Sequence, residues 1–367
     1  MKESWSRKIA PVNLKPILFE QDQQKLQTET RIKLGLITFG LVLGIGALAI
    51  SFQFIGAPKE GSEFSSLDDL RRSMLKPASL ENPTQAEVDT VALREIVNPH
   101  PNDRIIFDLR PDLDLRFARS HVHTNSCSMR DNPRSIEKPL DTYRIALLGD
   151  SFTFGWGVEF DQTFGQVLER ELNARLPELN SRYKKVEVLN FGVPGYSTFQ
   201  EVAKFIESGI DFAPDAVLVL FIENDFGLPF FVRNLDQPDG LLTSVRFVQM
   251  MRQSVDPEAS DEKMRLKGLD PNTALQQLSA ITREHGIRLF LAPNPKQQQW
   301  NKDRKRLWVV SREPGLELID WVDDFYQSIE RQGIDKKDLT LDWDPHPSPL
   351  KHRLMGQLLV PYFMDQL

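Results

Sequence analysis

Ser151 follows Gly149-Asp150 directly behind the apolar run Tyr143-Arg144-Ile145-Ala146-Leu147-Leu148. The run is short, apolar and closed by a turn signal, so it reads as a buried strand. Gly149 permits the sharp turn that ends it. A serine at the carboxyl end of a strand stands where open α/β sheets place their ligands. It serves as a nucleophile only beside a base and an oxyanion site. Alone, Gly-Asp-Ser is also an ordinary turn or helix cap, and Asp150 reads as a cap or brace of that loop.

Candidate partners follow in chain order. Phe191-Gly192-Val193-Pro194-Gly195-Tyr196 comes after a strand pattern at 186–190. Two glycines and a proline make a tight loop there, able to turn a backbone N–H toward the serine. Glu223-Asn224-Asp225 ends a third apolar run at 216–222, and an asparagine amide at that place suits donation to a developing oxyanion. Near the C-terminus, Leu341-Asp342-Trp343-Asp344-Pro345-His346-Pro347 puts a carboxylate two residues before a histidine. That is a base and its orienting acid in one loop, with Asp342 as the alternative acid.

The four blocks, in this order and at these strand ends, resemble the SGNH (GDSL-type) serine hydrolase superfamily over about residues 95–367. His123-Thr124-Asn125-Ser126 followed by Arg130-Asp131 resembles a lead-in of bacterial members. The resemblance implies Ser151 as nucleophile, His346 as general base and Asp344 as its orienter. It also implies an oxyanion hole of Ser151 N–H, Gly195 N–H and the Asn224 side chain, with no cofactor. Two departures matter. Glu223 stands where the family usually has glycine, which puts a carboxylate near a site meant to stabilise negative charge unless the side chain points away. Trp343 stands where the commoner spacing puts the acid. The Asp-x-His spacing of Asp344 resembles membrane-associated sugar O-acetyltransferases of the superfamily. Water as acceptor makes an esterase acting on carboxylic (acyl or acetyl) esters; a sugar hydroxyl makes an O-acyltransferase of envelope or extracellular polysaccharide. A non-catalytic glycan-binding or scaffolding domain is the reading different in kind, and only Glu223 and the shifted acid speak for it.

These residues need a frame to hold them. Strand patterns at 143–148, 186–190, 216–222, 287–291 and 316–319 alternate with helical ones at 164–176, 198–208, 272–285, 322–332 and 350–366. Such alternation predicts a central parallel sheet, and right-handed crossovers make it a three-layer, flavodoxin-like α/β/α sandwich. An edge strand is expected at 104–107. The interval 227–270 is long and partly apolar. It reads as a segment packed on the domain, with an acyl- or membrane-facing lid as the alternative. Trp156 and Tyr196 read as packing residues that could also line a pocket; His352 reads as a helix-surface or packing residue.

From Leu34 to Ala57 no residue is charged. That stretch is long enough to span a bilayer, and the long polar segment before it favours an uncleaved anchor over a signal peptide. The expected organisation is a cytoplasmic tail at 1–33, a transmembrane anchor at 34–57, a stalk at 58–101 and the hydrolase-like domain at 102–367, its core beginning near 140. Flanking positive charge leans toward a cytoplasmic N-terminus and an extracytoplasmic catalytic domain. The 367 residues carry a net charge of −7, which gives nucleic-acid binding no support. The single cysteine, Cys127, forms no intrachain disulfide and reads as a packed residue. No His/Cys metal-ligand spacing occurs. The expected partners are an ester substrate and, through the anchor, the membrane.

Overall fold

A computed structural model describes residues 93–102, 104–226 and 270–367. The expected tail, anchor, nearly all of the stalk and the 227–270 interval up to its last residue lie outside the described residues. Among those described, no helix is long and apolar enough to cross a membrane.

Among the described residues, nine strands lie in three sheets: β1 (Val97–Pro99), β2 (Phe107–Leu109), β3 (Asp114–Phe117), β4 (Ser120–His123), β5 (Thr142–Leu148), β6 (Lys185–Asn190), β7 (Ala216–Phe221), β8 (Arg288–Pro293) and β9 (Leu316–Leu318). The last five form one parallel sheet in the order β6-β5-β7-β8-β9. Every residue of β5 and β7 is buried, as expected of strands covered on both faces. The helices are α1 (Ser151–Phe154), α2 (Phe164–Arg175), α3 (Thr198–Lys204), α4 (Pro271–Glu284), α5 (Gln297–Arg306), α6 (Val309–Arg312), α7 (Val322–Gln332) and α8 (Pro349–Met364). α2 packs on α8, and α3 on α4, giving the expected layers of helix around the sheet. A single π-helical turn, Phe205–Gly209, continues α3.

The strand order reverses at β5, so a crevice opens outside the carboxyl ends of β5 and β7. Ser151 leaves the first of these strands and Asn224 the second. The topology alone therefore brings together two residues that are far apart in the chain.

Arg144 is fully buried inside β5. Its guanidinium donates to Glu187 Oε2 at 2.9 Å and to the carbonyls of Ser135, Ile136 and Phe212 at 2.8–2.9 Å. A buried charge persists only when so paired. The arginine thereby ties the segment before β5 to the sheet, away from the carboxyl edge.

Two expectations are corrected. Residues 104–107 are not an edge strand of the main sheet. Asn102 gathers this stretch into a turn: its side-chain oxygen accepts from Arg104 N–H at 2.9 Å, and its carbonyl accepts from Ile105 and Ile106 N–H at 3.0 and 2.9 Å. Only Phe107 enters a strand, and β2 pairs antiparallel with β1 in a separate ribbon. The second correction is α5, which was not expected. It is polar almost throughout, with Trp300 and Asp303 its buried residues, so it offers no apolar period to read.

Candidate active site

Ser151 is the first residue of α1. Asp150 caps the helix, its Oδ1 accepting from Phe152 N–H at 2.9 Å. The N–H of Ser151 opens the helix and so has no intrahelical acceptor. Asp150 Oδ2 accepts from Asn224 Nδ2 at 2.8 Å and lies 3.4 Å from Ser151 Oγ. Burial pushes the Asp150 carboxyl above its ordinary value; the bonds from Asn224 and Phe152 N–H pull it back in part. Asp150 is therefore the expected brace, fixing both the serine turn and the Asn224 amide.

His346 lies on a loop closed by a bridge between Thr340 and Pro347 and by Leu341 N–H donating to the His346 carbonyl at 3.0 Å. Ser348 then caps α8, with Pro349 in its first turn. Asp344 holds the histidine twice: Oδ1 accepts from His346 N–H at 2.9 Å and from ring Nδ1. With that proton on Nδ1, Nε2 is a bare acceptor, and it lies 2.8 Å from Ser151 Oγ. Trp156 stacks on the imidazole at 5.0 Å and 17°, so it lines the site. Asp342 is exposed and makes no hydrogen bond or ion pair with His346.

The loop after β6 closes against α1. Asn190 donates from Nδ2 to the Thr153 carbonyl at 3.0 Å and accepts from Gly192 N–H at 2.9 Å. A Cβ on Gly192 would lie 2.4 Å from Phe154 N, so no larger residue permits this approach. Gly195, at φ 85°, takes a left-handed turn that glycine adopts without strain. Tyr196 is a structural residue rather than a pocket wall: it is fully buried and donates to the Phe107 carbonyl.

Glu223 is engaged by a cation. Its carboxylate pairs with Lys296 Nζ at 2.6 Å. Burial alone would raise the Glu223 carboxyl, but the Lys296 bond and charge outweigh it and hold the group below its ordinary value. The extra carboxylate is thus ionised and neutralised locally.

Several supporting residues act through partners distant in the chain. Arg130 of the lead-in is fully buried and donates to the carbonyls of Phe154, Gly155, Val158 and His121, clamping the chain that leaves α1. Burial pushes its guanidinium down to about 10. His352 is wholly buried, not on a surface; its Nδ1 accepts from Phe164 N–H, the first of α2, at 3.2 Å. Burial and the neighbouring cations Lys351 and Arg130 push it down to about 3. Lys351 is buried in the first turn of α8, donates to Asn294 Oδ1 at 2.9 Å, and is pushed down by burial to about 8. Behind Asn224, Glu201 and Asp225 meet as two buried carboxyl groups. Burial and the nearby carboxylates Asp225 and Asp150 raise Glu201 well above the ordinary range. Among the described residues, no group of His, Cys, Asp and Glu is arranged to hold a metal ion.

Residues 147–354 match the GDSL-like Lipase/Acylhydrolase family, a span of more than half the chain. The chain belongs to this family. It is accordingly an ester-hydrolysing enzyme of the GDSL/SGNH class, built on the five-stranded parallel sheet described above. Similar solved structures include a lipase/acylhydrolase from Enterococcus faecalis, 19% identical, covering 61% of this chain and 97% of that one with a TM-score of 0.38. A second is an acetyl-xylooligosaccharide esterase from a Geobacillus species, at 17% identity, 60% and 93% coverage and a TM-score of 0.37. A third is a GDSL-like lipase from Bacteroides thetaiotaomicron, at 14%, 61% and 89%, and 0.33. A search of curated proteins found no match.

Proposed function

We propose that this GDSL-family member is a membrane-anchored serine esterase cleaving carboxylic esters through Ser151, His346 and Asp344. The observation that carries the reading is the hydrogen-bonded line from Ser151 Oγ through the His346 ring to Asp344, with 2.8 Å between Oγ and Nε2. Ser151 Oγ attacks the ester carbonyl as Nε2 takes its proton. Asp344 keeps the proton on Nδ1 and stabilises the imidazolium. The oxyanion forms among Ser151 N–H, Gly195 N–H and Asn224 Nδ2. His346 then gives its proton to the departing alcohol, and water repeats the sequence on the acyl-enzyme, releasing the acid and restoring Ser151 O–H.

A binding module has no use for a serine and an imidazole held at this distance, so the geometry supports turnover. The uncharged stretch at 34–57 supports an anchor and an extracytoplasmic catalytic domain. Pelleting with membranes after a carbonate wash checks the anchor, and a soluble full-length chain would refute it.

The test of the reaction is p-nitrophenyl acetate turnover by the full chain beside Ser151→Ala, with labelling by a serine-reactive phosphonate. Turnover and labelling are expected in the natural chain, and both are lost in the variant. Equal turnover in the two would refute the assignment.

A further inference from the structure

The β3–β4 hairpin stands on the histidine side of the site. Phe117, at the end of β3, meets Trp156 edge-on at 4.8 Å, and Trp156 in turn stacks on His346. Two residues after Phe117 the hairpin turn presents Arg119, whose guanidinium carbon lies 4.6 Å over the centre of the Trp343 ring. Trp343 directly precedes Asp344, and its edge lies against Gly157, the neighbour of Trp156. Arg119 and Trp343 thus continue the wall that Trp156 makes beside the imidazole.

Three features set this pair apart. Ala118 and Arg119 form the two-residue turn with φ values of 47° and 62°. A turn with positive φ at both central residues ordinarily uses Asn-Gly, because a residue with a Cβ costs about 1 kcal/mol or more in that region. The hairpin therefore retains two strained residues at its tip, and the exposed one is an arginine. Next, Arg119 is exposed and, among the described residues, no carboxylate lies within ion-pair distance of it, although Asp114 on the same hairpin pairs with His121 at 2.6 Å. An aromatic face holds the planar cation in a fixed direction while leaving its donors unused. Finally, Trp343 occupies the place three residues before His346; because Asp344 serves the imidazole, position 343 is released from that duty.

The mechanism says which half of the substrate faces this pair. His346 must hand its proton to the leaving oxygen, so the alcohol half lies on the histidine side, across from Gly195 and Asn224. We infer that Arg119, seated on Trp343, binds an anionic group, a carboxylate or a phosphate, on the alcohol half of the ester. The inference rests on the reading that Ser151 and His346 cleave esters. A bidentate guanidinium contact suits either anion.

The test uses the full chain and acetate esters that differ in the charge of the alcohol: 4-acetoxybenzoate, 4-acetoxyphenyl phosphate and the neutral methyl 4-acetoxybenzoate. Arg119→Gln is expected to lower the anionic-to-neutral ratio of kcat/KM by about tenfold. Arg119→Lys, which keeps the charge without the fork, recovers part of it. The anionic ester whose ratio falls further identifies the group as carboxylate or phosphate. An unchanged ratio for both anions in Arg119→Gln overturns the inference. A second measurement is independent of turnover. Binding of the products 4-hydroxybenzoate and 4-hydroxyphenyl phosphate, followed by tryptophan fluorescence, should weaken about tenfold in Arg119→Gln for the anion the site takes, and equal affinity for both would overturn the inference. Failure of the ester-cleavage reading is seen separately, as no hydrolysis of the neutral ester by the natural chain.

Discussion

Replacing Asn224 by alanine removes two things at once, and they can be measured apart. One hydrogen of Asn224 Nδ2 is committed to Asp150 Oδ2 at 2.8 Å; the other is the proposed oxyanion donor. Loss of one such donor costs about 2.7–4 kcal/mol of transition-state stabilisation, or roughly two to three orders of magnitude in kcat. The lost bond to Asp150 has a different consequence. The carboxyl is fully buried and already raised by that burial, and the Asn224 bond is the strongest of the contacts that pull it down. Without Asn224 its folded value rises further. A group raised in the folded state favours folding below its unfolded value and loses that contribution as pH rises through the folded value. Asn224→Ala should therefore lose about 2 kcal/mol at neutral pH, the worth of a hydrogen bond to a charged group, or roughly 4–8 °C in Tm. The loss should shrink toward pH 4 as Asp150 takes up its proton. Steady-state hydrolysis of p-nitrophenyl acetate and thermal melts at pH 4 and pH 7 read the two effects. A kcat within about fivefold of the natural chain would remove Asn224 from the oxyanion site. Equal losses of Tm at both pH values would refute the coupling to Asp150.

Three further expectations follow from the same contacts. Asp344→Asn should lower kcat by about four orders of magnitude, because it upsets the imidazole tautomer, whereas exposed Asp342→Asn should stay within about twofold; the same ester assay reverses the assignment if the two effects are exchanged. Lys296→Ala leaves the Glu223 carboxylate without its neutralising cation. The pair is partly exposed and solvent-screened, so a two- to fivefold fall in kcat/KM is about what one lost charge contact gives, and adding Glu223→Gly should restore it; a double variant as impaired as the single one would refute the neutralising role. His352, held near 3 in the folded chain against about 6.5 unfolded, contributes stability above pH 6.5 that is lost as pH falls from there toward 3. In urea melts across that window His352→Gln should flatten the decline by about 1.4 kcal/mol per pH unit, and an unchanged slope would show that His352 is not buried neutral.

The reading order of the chain carried much of this. An apolar run bounded by a glycine turn is a local signal, and β5, β6 and β7 begin or end within a residue or so of the expected places. The alternation of strand and helix was enough for the layered parallel sheet, because a parallel strand needs a long crossover. Ser151, Gly195 and Asn224 were also legible, since each follows such a run, and Asp344 and His346 showed through their two-residue spacing in one loop. Glu223 and Trp343 showed as departures from the pattern the blocks resemble, although the sequence did not say which way their side chains point.

Tertiary structure decided what depends on partners distant in the chain. Arg144 reads as a polar flaw in a strand until Glu187 and three carbonyls surround it. Arg130 and His352 carry no periodic mark; each acts by reaching backbone groups of another element. The 104–107 run looks like a strand because its residue types are apolar, but Asn102 takes up the N–H groups a ladder would need. Asp344 rather than Asp342 meets the backbone N–H and the ring Nδ1 of His346, a contact that the two carboxylates' places in the loop did not separate. Local chemistry thus determined which residues are able to react and where the strands end. The sheet order and the packing of the lead-in determined their distances and charges, because burial and hydrogen-bond geometry are properties of neighbours in space.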